Sequence, residues 1–555
     1  MSDKSSFGRY RGSSSQRRYQ AKQPEQSEGW DWSTGWRSVK TFFVCLRLGQ
    51  PGTTSAFAGL GAIIRPYIST YKLFFSKDPD THPFFLARQA VRAPIRLPGE
   101  SASFRAHDVP HGYPLKSGLN VKDPDKPKWT AGRNGDLRDI WRAALRGSLA
   151  TDGTPAGKQG KFYTVLGKDV AEHKLDDISQ EINIIGQLRS YLAMAGVDLL
   201  IAEAGTLELS ALLQGAPSLR STIWVANHGS RHMDWSQVPE GIGGDIEVAV
   251  WHELVKDKKA LVGTEVPATV SDTPTHPIVA FWATSAEEGQ FVEYSPAALV
   301  AGIAGLGSVL PHGQHLTSSD LVLSIDSLTR SYPLCIILAA LYVNASVAFN
   351  SVSGEHVNFA LATAGISPTI IIASSETMQN YHTEYMAPQI SLVAKFGRFI
   401  QRRSLDGGTM PRQNILTKLA NLGPTSELSR ENLRLIFISY RIDANPECQL
   451  TSEQLTDLRV FTGARVIYAL TAPTVVGAVS QTNVFDYRSF AGRSHFGAPL
   501  SNVEIKLIHD KEEDASKHGR LADGKIFVTG PATVGGKSLL EARGYFNDDC
   551  TLSLS

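Results

Sequence analysis

Ile278 to Leu299 reads IVAFWATSAEEGQFVEYSPAAL. An apolar run leads into Thr284 and Ser285, then Ala286, two carboxylates, Gly289 and the start of a helix. The layout is that of a strand feeding a loop that grips phosphate, a device of α/β folds. Such a loop should attract negative charge, yet this one carries Glu287 and Glu288 and no lysine.

The α/β texture extends outward from this stretch. STIWVAN, PTIIIAS and LRLIFIS are short apolar, β-branched runs bounded by polar residues, the marks of buried strands. DISQEINIIGQLRSYLAMAG is a helix with a polar start and Gly196 as its stop signal. YPLCIILAALYVNASVAF, Tyr332 to Phe349, reads as a buried helix running into a strand, because Pro333 and Asn344 interrupt it. Toward the end, NVEIKLIHD alternates Val503, Ile505 and Leu507 with charged neighbours and GKIFVTGP follows, a β-rich piece with one solvated face.

The 555 residues are too many for one core, so about two or three domains are expected. The reading gives a basic, disordered tail over 1–35 and a partly helical N-terminal extension over 36–150. An α/β core over 151–490 and a β-rich subdomain over 491–555 follow. The tail is judged by its first 22 residues, with six basic side chains and one acidic. Its candidate partners are RNA, an anionic membrane or an organelle import receptor. In RDIWRAALRGSLA, Ile140, Ala143, Ala144 and Leu145 fall near one helix face. The net charge of +1 excludes a chain that acts as a whole as an electrostatic trap for nucleic acid or membrane. Cys45, Cys335, Cys448 and Cys550 are widely spaced and form no CxxC pair, which reads as reduced thiols in an intracellular, cytoplasmic or organelle-surface protein.

Several segments, in order, resemble the adenylate-forming superfamily of AMP-forming acyl-CoA synthetases and ligases. The opening stretch sits where that family has its phosphate loop, YTSGTTGxPKG. RVIYALTAP sits at its YGxTE, and SHFGAPLSNVEIKLI resembles its G-x-P-x-x-x-x-x-x-I segment. GKIFVTGP and GYFNDDCTLS resemble the strand, turn and Gly-Tyr that follow. The likeness runs from about residue 160 onward. It implies an adenylate-forming large domain with βαβ layers, a small β-rich subdomain, and carboxylate activation by ATP and Mg²⁺ with thiol transfer after it.

Carried over by resemblance, the nucleotide-binding positions are Thr284, Ser285, Gly289, Tyr468 and Thr471. The pattern departs from the family at several points. Ala286 replaces the loop's first glycine, Glu287 and Glu288 replace its threonines, and no Pro-Lys-Gly follows. At about 5 Å and an effective dielectric of about 20, each carboxylate–phosphate pair costs roughly 3 kcal/mol. The magnesium-binding glutamate is Ala472, which has no ligand atom. Tyr440 and Arg441 stand where small residues line the acyl channel. The sequence ends a little before the family's Thr-Gly-Asp and its mobile C-terminal domain.

The expectation is therefore a degenerate member, a pseudoenzyme acting as a binding or scaffold protein for an acyl, nucleotide or protein partner, with no catalytic or metal residue assigned. The alternative is an active acyl-CoA or acyl-AMP ligase with substituted groups, such as Arg330, Arg441 or Lys537, or with a partner chain supplying the missing domain. GPATVGGKS fails the phosphate-loop spacing because Pro531 takes the first glycine's place. His228, His232 and Asp234 form a polar cluster with no supporting metal motif.

Overall fold

A computed structural model of the chain describes residues 79–122, 127, 129–149, 157–183, 198–205, 219–226, 246–259, 263, 277–283, 289–354, 357–386, 392–411, 432–509 and 523–555. All lie in the unit Asp78–Ser555. The basic tail falls outside the described residues.

The centre is a nine-stranded sheet. Its strands are β3 (Phe162–Leu166), β4 (Asp169–His173), β10 (Leu321–Ser324), β11 (Ser346–Asn350), β12 (Ile370–Ser374), β13 (Leu435–Arg441), β14 (Arg465–Ala472), β15 (Val475–Gln481) and β16 (Ala498–Pro499). Their order is β16-β15-β14-β13-β12-β10-β11-β3-β4. The six inner strands from β14 to β3 run parallel, with antiparallel pairings at either margin. Both faces of β12, β13 and β14 are covered, and Ile370, Ile371, Ile372 and Ala373 are fully buried in succession. That explains why their sequences read as unbroken apolar runs. The chain leaves β10 toward β11 but leaves β12 toward β13. The winding direction therefore reverses between β10 and β12, and the carboxyl ends of these two strands flank a crevice.

The Tyr332–Phe349 run resolves into the helix Ser331–Tyr342 and strand β11. Among the described residues no helix is long and apolar enough to cross a membrane. The helix Leu137–Arg146 opens on a capping box made by Asp136 and Asp139 and buries Ile140, Ala143 and Ala144. The helix Pro296–Val309 starts at Ser295, whose side chain accepts from the Ala298 N–H, and is buried along most of its length. It lies close against β15. A Cβ at Gly302 would stand 2.7 Å from Val476, and one at Gly305 would stand 2.5 Å from the Asn502 side chain. Asn502 Nδ2 donates to the Ala301 carbonyl at 2.8 Å, which fixes that approach.

A second, antiparallel sheet of six strands has the order β1 (Ala90–Arg92), β2 (Phe104–Ala106), β17 (Glu504–Ile508), β18 (Gly524–Thr529), β19 (Lys537–Phe546) and β20 (Leu552–Leu554). Val503, Ile505 and Leu507 are buried as their alternation requires, and Phe104 stacks on Phe546 with ring centroids 3.7 Å apart. Two strands of this sheet thus come from the stretch 36–150, far away along the chain. A three-stranded parallel sheet joins β5 (Asp198–Glu203), β6 (Leu219–Val225) and β7 (Glu247–Val250). The remaining pair, β8 (Ile278–Ala283) and β9 (Gly289–Tyr294), forms an antiparallel hairpin. The opening stretch therefore holds two strands, β8 and β9, ahead of the helix Pro296–Val309. The second strand hides in the sequence because GQFVEY is short and carries a charge.

Candidate functional site

A buried carboxylate sits at the switch point between β10 and β12. Asp326 lies two residues past β10. Its Oδ2 accepts from Ser439 Oγ at 2.7 Å, and its Oδ1 accepts from Arg330 Nη1 and from the Ser327 N–H, each at 2.8 Å. Ser324 Oγ donates to the Asp326 carbonyl at 3.0 Å. Asp326 and Ser439 are both buried, and the Arg330 side chain is nearly so. Arg330 is four residues beyond Asp326, just before the helix Ser331–Tyr342, so local chain geometry alone brings the pair together.

Next to this cluster the β8–β9 hairpin docks on the strand ends. Tyr294 OH donates to the Pro473 carbonyl at 2.9 Å, and Trp282 Nε1 donates to Asp443 Oδ2 at 2.9 Å. Arg441 Nη2 meets the same Asp443 oxygen at 2.7 Å, and its guanidinium lies over the Trp282 ring, 5.1 Å from the centroid. Burial pushes the Asp443 carboxyl up. The bonds from Arg441 and Trp282 and the Arg441 charge outweigh that and leave it below the usual carboxylate range.

Of the residues singled out from sequence, Thr284 and Ser285 lie outside the described residues, as do Ala286, Glu287 and Glu288. Gly289 is exposed at the end of the hairpin next to the 284–288 connection, paired with Ala283. Tyr468 and Thr471 sit on β14 and are buried. The Tyr468 hydroxyl accepts from the Leu450 N–H at 3.0 Å, and its ring faces Phe496 at 4.8 Å and Tyr440 at 6.4 Å. Burial holds the Tyr468 phenol well above its ordinary value. Thr471 Oγ1 donates to the Tyr440 carbonyl at 3.0 Å. Ala472, at the last position of β14, is fully buried. Tyr440 is buried too, stacked on Phe496 at 5.4 Å, so large side chains fill the volume beside β13 and β14.

Magnesium needs oxygen ligands. Ala472 has no side-chain oxygen and so offers a metal ion no side-chain ligand, while the Thr471 hydroxyl donates its proton to a backbone carbonyl. Among the described residues no group of three His, Cys, Asp or Glu could hold a metal ion. His228, His232 and Asp234 lie outside them. The GPATVGGKS stretch turns from the end of β18 into the start of β19, with no α-helix after the glycines to receive a phosphate. Cys335, Cys448 and Cys550 are free thiols.

Sequence reasoning missed Asp326, Ser439, Asp443 and Trp282. The spacing of Asp326 and Arg330 was the one available signal. Ser439 and Asp443 become polar partners only through strand pairing.

A second buried network lies behind β14. Asp486 accepts from Gln89 Nε2 at 2.6 Å and from Arg488 Nη2 at 2.6 Å, and Arg488 also reaches Asp549 at 2.7 Å. His495 Nε2 stands 3.5 Å from Asp486, and its Nδ1 accepts from the Gly497 N–H at 3.0 Å. This network ties the N-terminal segment to the C-terminal sheet.

No family model matches the chain. An uncharacterised protein of Saccharomyces cerevisiae, YHR045W, is 24% identical over 504 aligned residues, covering 80% of this chain and 83% of that protein. Among solved structures, the chain is similar to the anthranilate CoA ligase AuaEII in complex with anthranoyl-AMP, with a TM-score of 0.49, 12% identity and 78% of each chain covered. It is also similar to the adenylation domain of a keto acid-selecting NRPS module bound to keto acyl adenylate, with a TM-score of 0.47, 10% identity and 80% and 84% covered. A third is the Klebsiella oxytoca NpsA N-terminal subdomain in complex with 3-hydroxybenzoyl-AMSN, with a TM-score of 0.45, 11% identity and 76% and 99% covered.

Proposed function

We propose that the chain carries an adenylate-forming type of α/β scaffold that no longer activates carboxylates and works as a binding or scaffold protein. The observation that carries this reading is the internal use of the two described nucleotide positions. Thr471 donates its hydroxyl to the Tyr440 carbonyl, and the Tyr468 ring is covered by Phe496 while its oxygen serves the Leu450 N–H. An adenine could lie on Tyr468 only by displacing Phe496 from the core. Ala472 at the metal position and the Asp326–Ser439–Arg330 cluster at the switch point support the same reading, as do the carboxylates of Glu287 and Glu288 in the sequence of the loop. An intracellular location fits three free thiols.

The test is ATP–pyrophosphate exchange with the full chain and a panel of short, aryl and fatty acids. Exchange at background with every acid is expected. ATP- and acid-dependent exchange well above a protein-free control overturns the proposal in favour of an active ligase.

A further inference from the structure

Residues 81–99, THPFFLARQAVRAPIRLPG, contain three arginines and no acidic residue. The structure turns this segment into an outward-facing strip along the margin of the six-stranded sheet. Phe84 is 73% exposed, Phe85 61%, Ile95 79% and Leu97 62%. Arg88, Arg92 and Arg96 are exposed among them. Four large apolar side chains held in water in one segment, and interleaved with cations, need an explanation that scattered surface leucines do not.

The strip is held in place and cannot fold its apolar tips inward. Leu86, Gln89 and Ala90 are buried beneath it. The Gln89 N–H donates to the Asp549 carbonyl at 2.7 Å, and its Nε2 donates to the buried Asp486 at 2.6 Å. β1 pairs with β2 as the outer strand of the sheet. His82 caps the short helix Pro83–Ala87 that carries both phenylalanines. The acidic residues at its two margins point away into ion pairs: Asp80 with Arg465 at 3.1 Å and Glu100 with Lys506 at 2.7 Å. Within residues 81–99 the only Lys, Arg, Asp or Glu side chains are these three arginines.

We propose that this strip docks on an anionic phospholipid surface, with Phe84, Phe85, Ile95 and Leu97 entering the boundary between headgroups and acyl chains and the arginines meeting lipid phosphates and carboxylates. Aromatic and aliphatic tips beside arginine are the side chains that an interfacial site uses. Ile95 and Leu97 have no π face to stack on a base, which disfavours single-stranded nucleic acid. The sign of the strip continues upstream: residues 32–77 hold six Lys and Arg and no Asp or Glu. Positive charge spread over such a length suits an extended anionic sheet better than a bounded protein groove.

Co-sedimentation of the full chain with vesicles tests this. Phosphatidylcholine vesicles with about 30% phosphatidylserine should bind the protein, and pure phosphatidylcholine should bind it far less. Binding to the anionic vesicles should fall steeply as salt approaches about 1 M. Replacing Arg88, Arg92 and Arg96 with Gln should weaken partition about 100-fold, at roughly a kcal/mol per arginine near the surface. Replacing Phe84, Phe85, Ile95 and Leu97 with Ser should weaken it as strongly, while circular dichroism and the melting temperature stay unchanged because all four side chains are exposed. These variants leave residues 1–77 intact. Undiminished vesicle binding by both variants overturns the proposal and moves the contact elsewhere. Binding to single-stranded RNA with none to vesicles overturns it as well.

Discussion

Ser439 Oγ, on β13, donates to Asp326 Oδ2, just past β10, at 2.7 Å, and the bond spans the carboxyl end of β12 between them. It crosses the crevice that an open parallel sheet offers to a ligand. A side-chain pair that bridges this position holds the strand ends together.

Breaking the bridge should be costly. Asp326→Ala removes the acceptor of Ser439, of the Ser327 N–H and of the nearly buried Arg330 guanidinium. A loss of about 3–5 kcal/mol is expected. Ser439→Ala should cost less, about 1.5–3 kcal/mol, and the double variant should fall short of the sum because the two share one interaction. Urea unfolding of the three variants checks the order and the non-additivity.

Tyr468→Phe should destabilise by about 1–3 kcal/mol, because the buried Leu450 N–H loses its acceptor. The same variant should leave the response to added nucleotide identical to that of the parent. A melting temperature shifted upward by ATP in the parent and lost in the variant would instead make Tyr468 a nucleotide residue.

Placing at 472 the glutamate of the family that the sequence resembles should not create the chemistry. Ala472 is fully buried at the end of β14, beside the turn that Tyr294 OH holds. Ala472→Glu places a carboxylate there without a charge partner, so a loss of several kcal/mol and no gain in pyrophosphate exchange are expected. Exchange that appears with this single change would show a site intact in all but its metal ligand.

Stability should begin to fall on the acid side of neutrality through His495. Burial disfavours its imidazolium against the pull of Asp486 and Asp549, and Arg488 and Arg459 oppose the charge further, so its pKa lies below the ordinary 6.5. The unfolded chain takes up the proton first. The stability contribution is therefore full above about pH 6.5 and is lost as pH falls toward the folded value. His495→Asn keeps an acceptor for the Gly497 N–H and removes the titration. Unfolding free energy measured between about pH 5 and 7.5 should slope in the parent and run flat in the variant. Carboxylates held below their usual range, such as Asp443 and Asp486, act in a separate window near and below about pH 4.

What the sequence discloses follows from the range of each interaction. β12 and β13 are legible in PTIIIAS and LRLIFIS because burial on both faces leaves unbroken apolar runs, Ile370–Ala373 and Leu435–Ile438. β17 is legible in NVEIKLIHD because one face is wet. The pairing of β2 with β17 does not show, since Phe104 and Ile505 come together across some four hundred residues with no periodic signal to announce it. The site divides in the same way. The alanine at 472, where the family that the sequence resembles has a glutamate, is visible in the letters themselves. The cluster is not, because Asp326 reads as a turn residue until Ser439 is brought over it by the β10–β12–β13 register.

The claim that the nucleotide position is filled by the chain's own side chains meets its most direct test in isothermal titration of the full chain with MgATP, followed by a hydrolysis-resistant acyl-AMP mimic. No saturable heat is expected for either up to about 1 mM, a concentration at which even an affinity near −4 kcal/mol would register. One-to-one binding in the micromolar range, abolished by Thr471→Val, would contradict the account.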